Sequence, residues 1–413
     1  MGSPDPDGRQ IDGVGGGVSS LSKAAIVSAP GSGLYLRALR ELGDAFRLPG
    51  VAWADDATRA AHPTLGWDVV YRFGQVPVSH GTNVDWSSTC GNMLAAAALF
   101  AVHNGIVRAS RIAAYAAETV GADADRCLFP IRVLHACSGA RATAHVPVRR
   151  VWVHGAPVWL LSDLADTAIA GVPGRAPGIR IDVPLEAPPL PTTRVRDSVR
   201  VGDRSVAITV VDTGLPVVLV RAEDLGAGAT DMTRTATELD GNTALHARIE
   251  ELRRAAAQLV PSLEVSPSAP KVCLVYPRTA YTTSGGAAIA ADDMDVLVRA
   301  VSVGNFHRSI MATALSSLAV AAALPHSVVA EAVASPSGSD TGAQTTRSLR
   351  VGQPAGISTA AVQLDADGAP AAISYDRTAR RILTAELDIP PAVASSWHPA
   401  YEHQFRRLVR EQS

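Results

Sequence analysis

Several features are scarce in this chain, and each scarcity closes off a class of function. Aromatic residues make up 5% of the 413 residues, too few to line the stacking platforms that bind single-stranded nucleic acids. Net charge is −2, so no general field draws the chain to nucleic acid or to an anionic membrane, and an anionic ligand has to be held by local groups. The four cysteines are Cys90, Cys127, Cys137 and Cys273. None form a C-x-x-C pair and the step from Cys127 to Cys137 fits no zinc pattern. Neither a disulfide scaffold nor a metal site is expected, and a reducing, cytoplasmic setting is. Long apolar runs are missing too. The longest, 310–324, falls short of the roughly 20 residues of a membrane span and carries polar interruptions, so it reads as a buried helix. No basic segment followed by an apolar stretch opens the chain, so no signal peptide is expected.

What is present suits a large folded chain: 47% of residues are hydrophobic and 18% charged, enough for two sizeable cores. The proline-rich stretch 173–192 reads as an inter-domain linker or a sheet edge, which divides the chain into 1–190 and 191–413. In the first part, 24–28 and 69–78 read as strands. An amphipathic helix over 34–48 lies within an insertion over about 29–67. Residues 90–103 form an alanine-rich apolar helix that stops at Asn104-Gly105, and 131–148 and 151–161 are strand-like. In the second part, strands are expected at 206–211, 217–220 and 271–276, with a charged helix over 243–260. An acid-capped helix is expected over 292–303 and an apolar helix over 305–324, opening on Asn305-Phe306-His307-Arg308. A Ser/Thr/Gly-rich loop over 334–348 and strands at 360–364 and 381–387 follow. The two parts echo one another in running from strands to a small-residue loop to a long apolar helix.

Two segments carry the chemistry. Gly13-Val14-Gly15-Gly16-Gly17-Val18-Ser19-Ser20-Leu21-Ser22-Lys23 sets glycines and serines ahead of a lysine. Glycine lets the backbone approach a ligand closely, and hydroxyls and amides cradle an anion. Lys23 reads as an anion clamp or a proton-transfer base, with a flexible turn bearing an exposed lysine as the plain alternative. The loop is not G-x-x-x-x-G-K-[ST], and Val18 stands where G-x-G-x-x-G requires glycine, so nucleotide binding is not expected. Cys90 stands at the start of the apolar helix, where free amides and the helix dipole favour a thiolate; a small buried side chain is the alternative. His307 at the second helix start can polarise a carbonyl or carboxylate, or simply cap. His135, His145 and His154 lack metal-ligand spacing, and no H-E-x-x-H, G-x-S-x-G or EF-hand loop occurs.

The run MGSPDPDGRQIDGVGGGVSSLSK, Phe73-Gly74-Gln75-Val76, Val84-Asp85-Trp86-Ser87 and Cys90-Gly91-Asn92 resemble the 2-methylaconitate cis–trans isomerase family. The resemblance continues through Ala144-His145-Val146-Pro147, Ala222-Glu223-Asp224-Leu225-Gly226, Tyr281-Thr282, Ser284, Asp295, Leu297-Val298-Arg299-Ala300, His307, Val351-Gly352 and Arg377. It implies an α+β, diaminopimelate-epimerase-like fold: two similar domains, each a mixed sheet wrapped round a central helix, with the active site between them. It also implies an isomerase that uses neither cofactor nor metal and moves a double bond in unsaturated di- and tricarboxylates such as 2-methylaconitate, aconitate or 4-oxalomesaconate. Lys23 matches the base and Cys90 the partner thiol. Ser19, Ser20, Ser22, Gly91, Asn92, Ser284, Gly286 and His307 are the expected substrate contacts. An allylic proton shift needs one group to take a carbon-bound proton, another to return it, and oriented donors for the dienolate. A lysine in a partly desolvated cleft can lose its proton near neutral pH. The implied partner is a small polycarboxylate, with no nucleic acid or membrane, and a homodimer is the expected assembly.

Three departures from the family pattern stand out. Family members carry a strand and a Gly-Gly-Thr-Ser-Lys-Gly loop ahead of the Met1 motif, 29–67 is longer than its counterpart, and Ala287 replaces a lysine. They leave open a specialised unsaturated acid as substrate, or an inactive chain that binds acids or partners. The second helix start has no cysteine, which speaks against two-thiol racemisation of an amino acid.

Overall fold

The computed structural model describes residues 23–28, 67–75, 90–121 and, apart from short breaks, 124–381. The helix expected over 34–48, the strand expected over 381–387 and the serines Ser19, Ser20 and Ser22 lie outside the described residues.

Two helices carry no Asp, Glu, Lys or Arg along their length. α1 (Gly91–His103, GNMLAAAALFAVH) is apolar all round, and a helix of that kind has to be enclosed rather than laid on a surface. The amphipathic α2 (Ala109–Thr119) follows it, and α3 (Thr243–Ala257) carries charges on its outer face. α4 (Ala312–Ala323, ATALSSLAVAAA) is again buried around almost its whole circumference.

Strands form the enclosing wall. The first part supplies β1 (Lys23–Ser28), β2 (Val69–Gln75), β3 (Arg126–His135), β4 (Arg141–Val153), β5 (Ala156–Leu161) and β6 (Gly178–Pro184). The second supplies β7 (Asp197–Val201), β8 (Arg204–Asp212), β9 (Pro216–Arg221), β10 (Lys271–Pro277), and a small hairpin of β11 (Tyr281–Thr282) and β12 (Ala288–Ile289). β13 (Val296–Ser302), β14 (Asn305–Phe306), β15 (Ser337–Thr341), β16 (Gln344–Gln353), β17 (Gly356–Leu364) and β18 (Pro370–Thr378) complete it. The main path runs β1-β2-β3-β4-β6-β18-β17-β16-β13-β10-β9-β8-β7. α1 packs on β1, β2, β4 and β18, and α4 on β8, β9 and β16 to β18. α3 covers the outer face of the second part, where Leu245, Ile249 and Leu252 meet Val272 and Leu274. β10 is therefore buried on both faces, since Cys273 and Val275 point into the core with α4.

β18 comes late in the chain yet stands between β6 and β17, with Ala372 to Thr378 paired antiparallel to Pro184 to Gly178. A polar cluster fastens it there. Ser374 Oγ donates to Asp182 Oδ1 at 2.7 Å, and His145 Nε2 lies 2.7 Å from Asp182 Oδ2. Burial raises the Asp182 pKa, but hydrogen bonds from His145, Arg180 and Ser374 outweigh it and hold the carboxyl well below its usual range.

The two parts repeat one another in detail. Asp68 precedes β2 and Asp295 precedes β13, and each carboxylate is clamped by an arginine on a parallel neighbour. The Arg132 amide donates to Asp68 Oδ2 at 2.7 Å and its Nη2 to Oδ1 at 2.9 Å. The Arg350 amide and Nη2 reach Asp295 Oδ2 and Oδ1, both at 2.7 Å. Main-chain bonds run the other way in both cases, Asp68 N–H to Arg132 O and Asp295 N–H to Arg350 O, each 2.8 Å. Matching Asp68 to Asp295 sets Arg72 against Arg299, whose antiparallel partners are Ile26 and Leu274. Three residues earlier, each partner strand begins with a lysine: Lys23 in β1 and Lys271 in β10.

Four expectations need correction. Residues 292–303 do not form a helix: Ala291–Asp293 is a single 3₁₀ turn, and β13 follows. Val296, Val298 and Val301 are β-branched and buried on both faces of a sheet, and Asp295 serves the arginine clamp instead of a helix cap. The second apolar helix starts at Ala312, not at 305, because Val303 (φ 53°) and Gly304 (φ 78°) make a two-residue hairpin that pairs Ser302 with Asn305. The loop expected over 334–348 contains β15 and the start of β16. Within the proline-rich stretch, β6 is an inner strand with neighbours on both sides, so it is no sheet edge.

The clamps make a test. Asp295→Ala strips the partner from the Arg350 amide and guanidinium and is expected to lower unfolding free energy by about 2–4 kcal/mol in urea titrations. Asp163→Ala removes an exposed pair with Arg149 and should leave the unfolding midpoint nearly unchanged.

Candidate active site

Cys90 occupies the N-cap of α1 in an extended conformation (φ −141°, ψ 113°), and its side chain makes no capping hydrogen bond. Its carbonyl accepts the Leu94 amide at 3.0 Å and, from β2, the Tyr71 hydroxyl at 3.2 Å. The next residue sets the spacing of the site. A Cβ on Gly91 would stand 2.5 Å from Tyr375 Oη and 2.7 Å from Ala312 Cβ, so only glycine fits. The start of α1 thus meets the start of α4, with β18 beside both.

β18 also brings Arg377, two residues from Tyr375 on the same face. Its Cζ lies 4.8 Å from the centroid of the Tyr375 ring and its Nη1 donates to Asp376 O at 2.7 Å. Arg377 is 8% exposed. Burial lowers its pKa, while negative charge on Tyr375 or Cys90 pulls it back up. Burial pushes the Tyr375 phenol up to about 12 against the pull of Arg377, with Cys90 adding to the rise. Tyr71 is raised by burial and then by Cys90. The two phenols are therefore neutral donors at neutral pH, and Arg377 is a buried cation within electrostatic range of Cys90. A buried cation and phenol donors beside a helix start are a setting that can hold a developing anion.

At the start of α4, Met311 is the N-cap and Lys271 Nζ donates to Thr313 Oγ1 at 2.9 Å. His307 is buried in the turn between β14 and α4. Its amide donates to Ala300 O at 2.8 Å and its Nδ1 accepts the Ser309 amide at 3.0 Å, so the ring braces the approach to the helix.

The expected site residues fall into three groups. Cys90, Gly91 and Asn92 stand together at the start of α1, and Lys23 starts β1, opposite Gln75 in register. His307 leads into the facing helix. Ser284 and Gly286 sit in the β11–β12 turn, where the Ser284 amide and Oγ both donate to Pro354 O (2.8 and 3.2 Å) and Gly286 takes φ +85°. Tyr71, Tyr375 and Lys271 escaped the sequence reading, and Arg377 entered it only as a motif residue. The alternation of Tyr375 and Arg377 was the available signal, and no strand was expected over 370–378. Among the described residues, no three His, Cys, Asp or Glu side chains gather as a metal site, and no helix is long and apolar enough to cross a membrane.

With this geometry in hand, comparison with known proteins is informative. The chain is 29% identical over 408 residues to a 2-methyl-aconitate isomerase of Shewanella oneidensis, covering 94% of this chain and 87% of that one. It is 32% identical over 375 residues to a 4-oxalomesaconate tautomerase of Pseudomonas putida, covering 88% and 80%. The crystal structure of a methylitaconate-delta-isomerase matches with a TM-score of 0.62 at 24% identity, over 92% of this chain and all of that one. The fold is α+β and diaminopimelate-epimerase-like, as the resemblance implied. A family model described as PrpF protein matches residues 58–390, a stretch that begins after Lys23 and contains Cys90, His307, Tyr375 and Arg377. The chain belongs to the PrpF protein family.

Proposed function

We propose that the chain is a cofactor-independent isomerase that moves a double bond by an allylic proton shift in an unsaturated di- or tricarboxylic acid of the 2-methylaconitate or aconitate type. The observation that carries this reading is the thiol of Cys90 at a helix start, where two helix starts meet and the buried Arg377 guanidinium lies within electrostatic range. The internal repeat supports Lys23 as its partner. In the second part the strand-start lysine reaches the second residue of the central helix, and Lys23 is the equivalent residue of β1. β2 gives the direction. Its Asp68 end is bonded to Arg111 of α2, beyond the far end of α1, and Tyr71 midway already touches Cys90. That ordering supports Gln75, and Lys23 opposite it, on the Cys90 side of the strand.

The reaction then runs as two proton transfers. The Lys23 amine takes a proton from the allylic carbon, and the electron pair spreads through the double bond into the adjacent carboxylate as a dienolate. Cys90 returns a proton at the far carbon and is left as thiolate beside Arg377, until the Lys23 proton restores it. An isomerisation gives back as many protons as it takes, so two side chains suffice. Amides at Gly91 and Asn92, with Ser19, Ser20, Ser22, Ser284, Gly286 and His307, are assigned to the carboxylates. The same reading divides the chain into lobes 1–190 and 191–413 and places a homodimer in the cytoplasm. Tautomerisation of an oxo acid is the same proton shift, and the 32% identity to an oxalomesaconate tautomerase makes it the second activity to assay.

Turnover of 2-methylaconitate, cis-aconitate or 4-oxalomesaconate should be visible in ultraviolet absorbance, with deuterium entering the product in heavy water. Lys23→Ala is expected to cost about 10²–10⁴ in rate; full turnover by that variant sinks the assignment of the base.

Thiol chemistry offers a second check. At pH 8, iodoacetamide should modify Cys90 and spare Cys273, which burial pushes up to about 12, and Cys127, which burial also raises. Arg377→Met removes the charge that favours the thiolate, so alkylation of Cys90, followed by peptide mass spectrometry, should slow about tenfold, or roughly one pKa unit. An unchanged rate argues against Arg377 as the thiol's electrostatic partner.

A further inference from the structure

Only two of the 37 basic residues in the chain are lysines, and they are Lys23 and Lys271. Arginine fills every other basic position, including the surface pairs with Asp163, Asp125, Glu250 and Asp292. Lysine and arginine are not interchangeable where a compact point charge has to fit a confined space or shed a proton. The two positions that keep lysine are the equivalent ones of the internal repeat, three residues before the partners of Arg72 and Arg299.

The repeat is not symmetric in its chemistry. Cys90 caps the first central helix, and Met311 stands in its place at the second. A thioether neither gives nor takes a proton, so the second helix start keeps the cation and lacks the acid. Lys271 is 9% exposed, with its ammonium on the Thr313 hydroxyl. Thr313 directly follows Ala312, the residue that meets Gly91. A positive charge beside the positive end of a helix makes a setting that an anion stabilises.

We propose that Lys271 is a substrate-binding residue of the second lobe: its ammonium, with the hydroxyl of Thr313, holds one carboxylate of the acid across the cleft from Cys90. The division of labour is then proton transfer at the first helix start and charge anchoring at the second. The inference rests on the isomerase reading above.

Steady-state kinetics and calorimetry on the full chain test it, with propane-1,2,3-tricarboxylate as a ligand that has no double bond to move. Lys271→Met is expected to weaken its binding and raise KM by about ten- to hundredfold, the loss of one charge-assisted hydrogen bond, with kcat within about threefold. Lys271→Arg should recover part of that loss. Wild-type affinity in Lys271→Met overturns the proposal, and so does a collapse of kcat at unchanged KM, which would make Lys271 a proton carrier. Should Lys271→Met fail to fold, the wild-type chain still decides. Isotope labelling at lysine gives two side-chain signals, assigned with Lys23→Met, and the tricarboxylate must shift the Lys271 signal. A shift of the Lys23 signal alone overturns the anchor while leaving the isomerase reading intact. No binding by the wild-type chain removes the polycarboxylate reading, and the anchor with it.

Discussion

Everything in this molecule follows from the need to hide two helices that carry no charged side chain. A helix of leucine and alanine gains nothing from lying on one layer, so each is ringed by strands and the strands join into one continuous sheet. Once both rings exist, the helices can be oriented start to start. Gly91 is where that constraint is sharpest, because a single methyl group there would collide with both Tyr375 and Ala312. Both helix starts, with their free amides, are thereby set against one another in surroundings largely cleared of water.

Desolvation does most of the chemical tuning. Tyr71 and Tyr375 are held as phenols by burial, and the buried guanidinium of Arg377 is a charged group within electrostatic range of Cys90. In water these groups would be screened and unremarkable. At the junction of the two helices the same charges act at close range and low dielectric, the setting the proposed proton shift calls for.

Much of this was legible in the sequence, and the failures have physical causes. The Cys90-Gly91-Asn92 helix start and the charged helix expected over 243–260, observed over Thr243–Ala257, were plain because their patterns extend over three turns or more. β13 was misread because Asp292, Asp293 and Asp295 imitate a helix cap, whereas one of them is the long-range partner of Arg350. The true start of α4 was hidden by the Val303-Gly304 hairpin, a two-residue device in a run otherwise apolar enough to pass for helix. Arg377 and Tyr375 were invisible as site residues because nothing local says that a strand near the end of the chain returns to the first lobe. The kinship of Lys23 and Lys271 could not be seen until strand register aligned them, although two lysines among so many arginines stood in plain view.

The position of β18 bears on how the protein is made. The sheet that surrounds α1 takes one of its strands from residues 370–378, so a nascent chain emerging from the ribosome has to carry an unfinished first lobe through most of its synthesis. The apolar flank of α1 waits for a segment some 270 residues downstream. Closure on that scale is slow, because loop entropy is spent before the contact rewards it, and the waiting intermediate exposes the kind of surface that aggregates. The cost of joining strands so far apart in the sequence is thus met during biosynthesis, and molecular chaperones are the cellular machinery suited to shelter that interval.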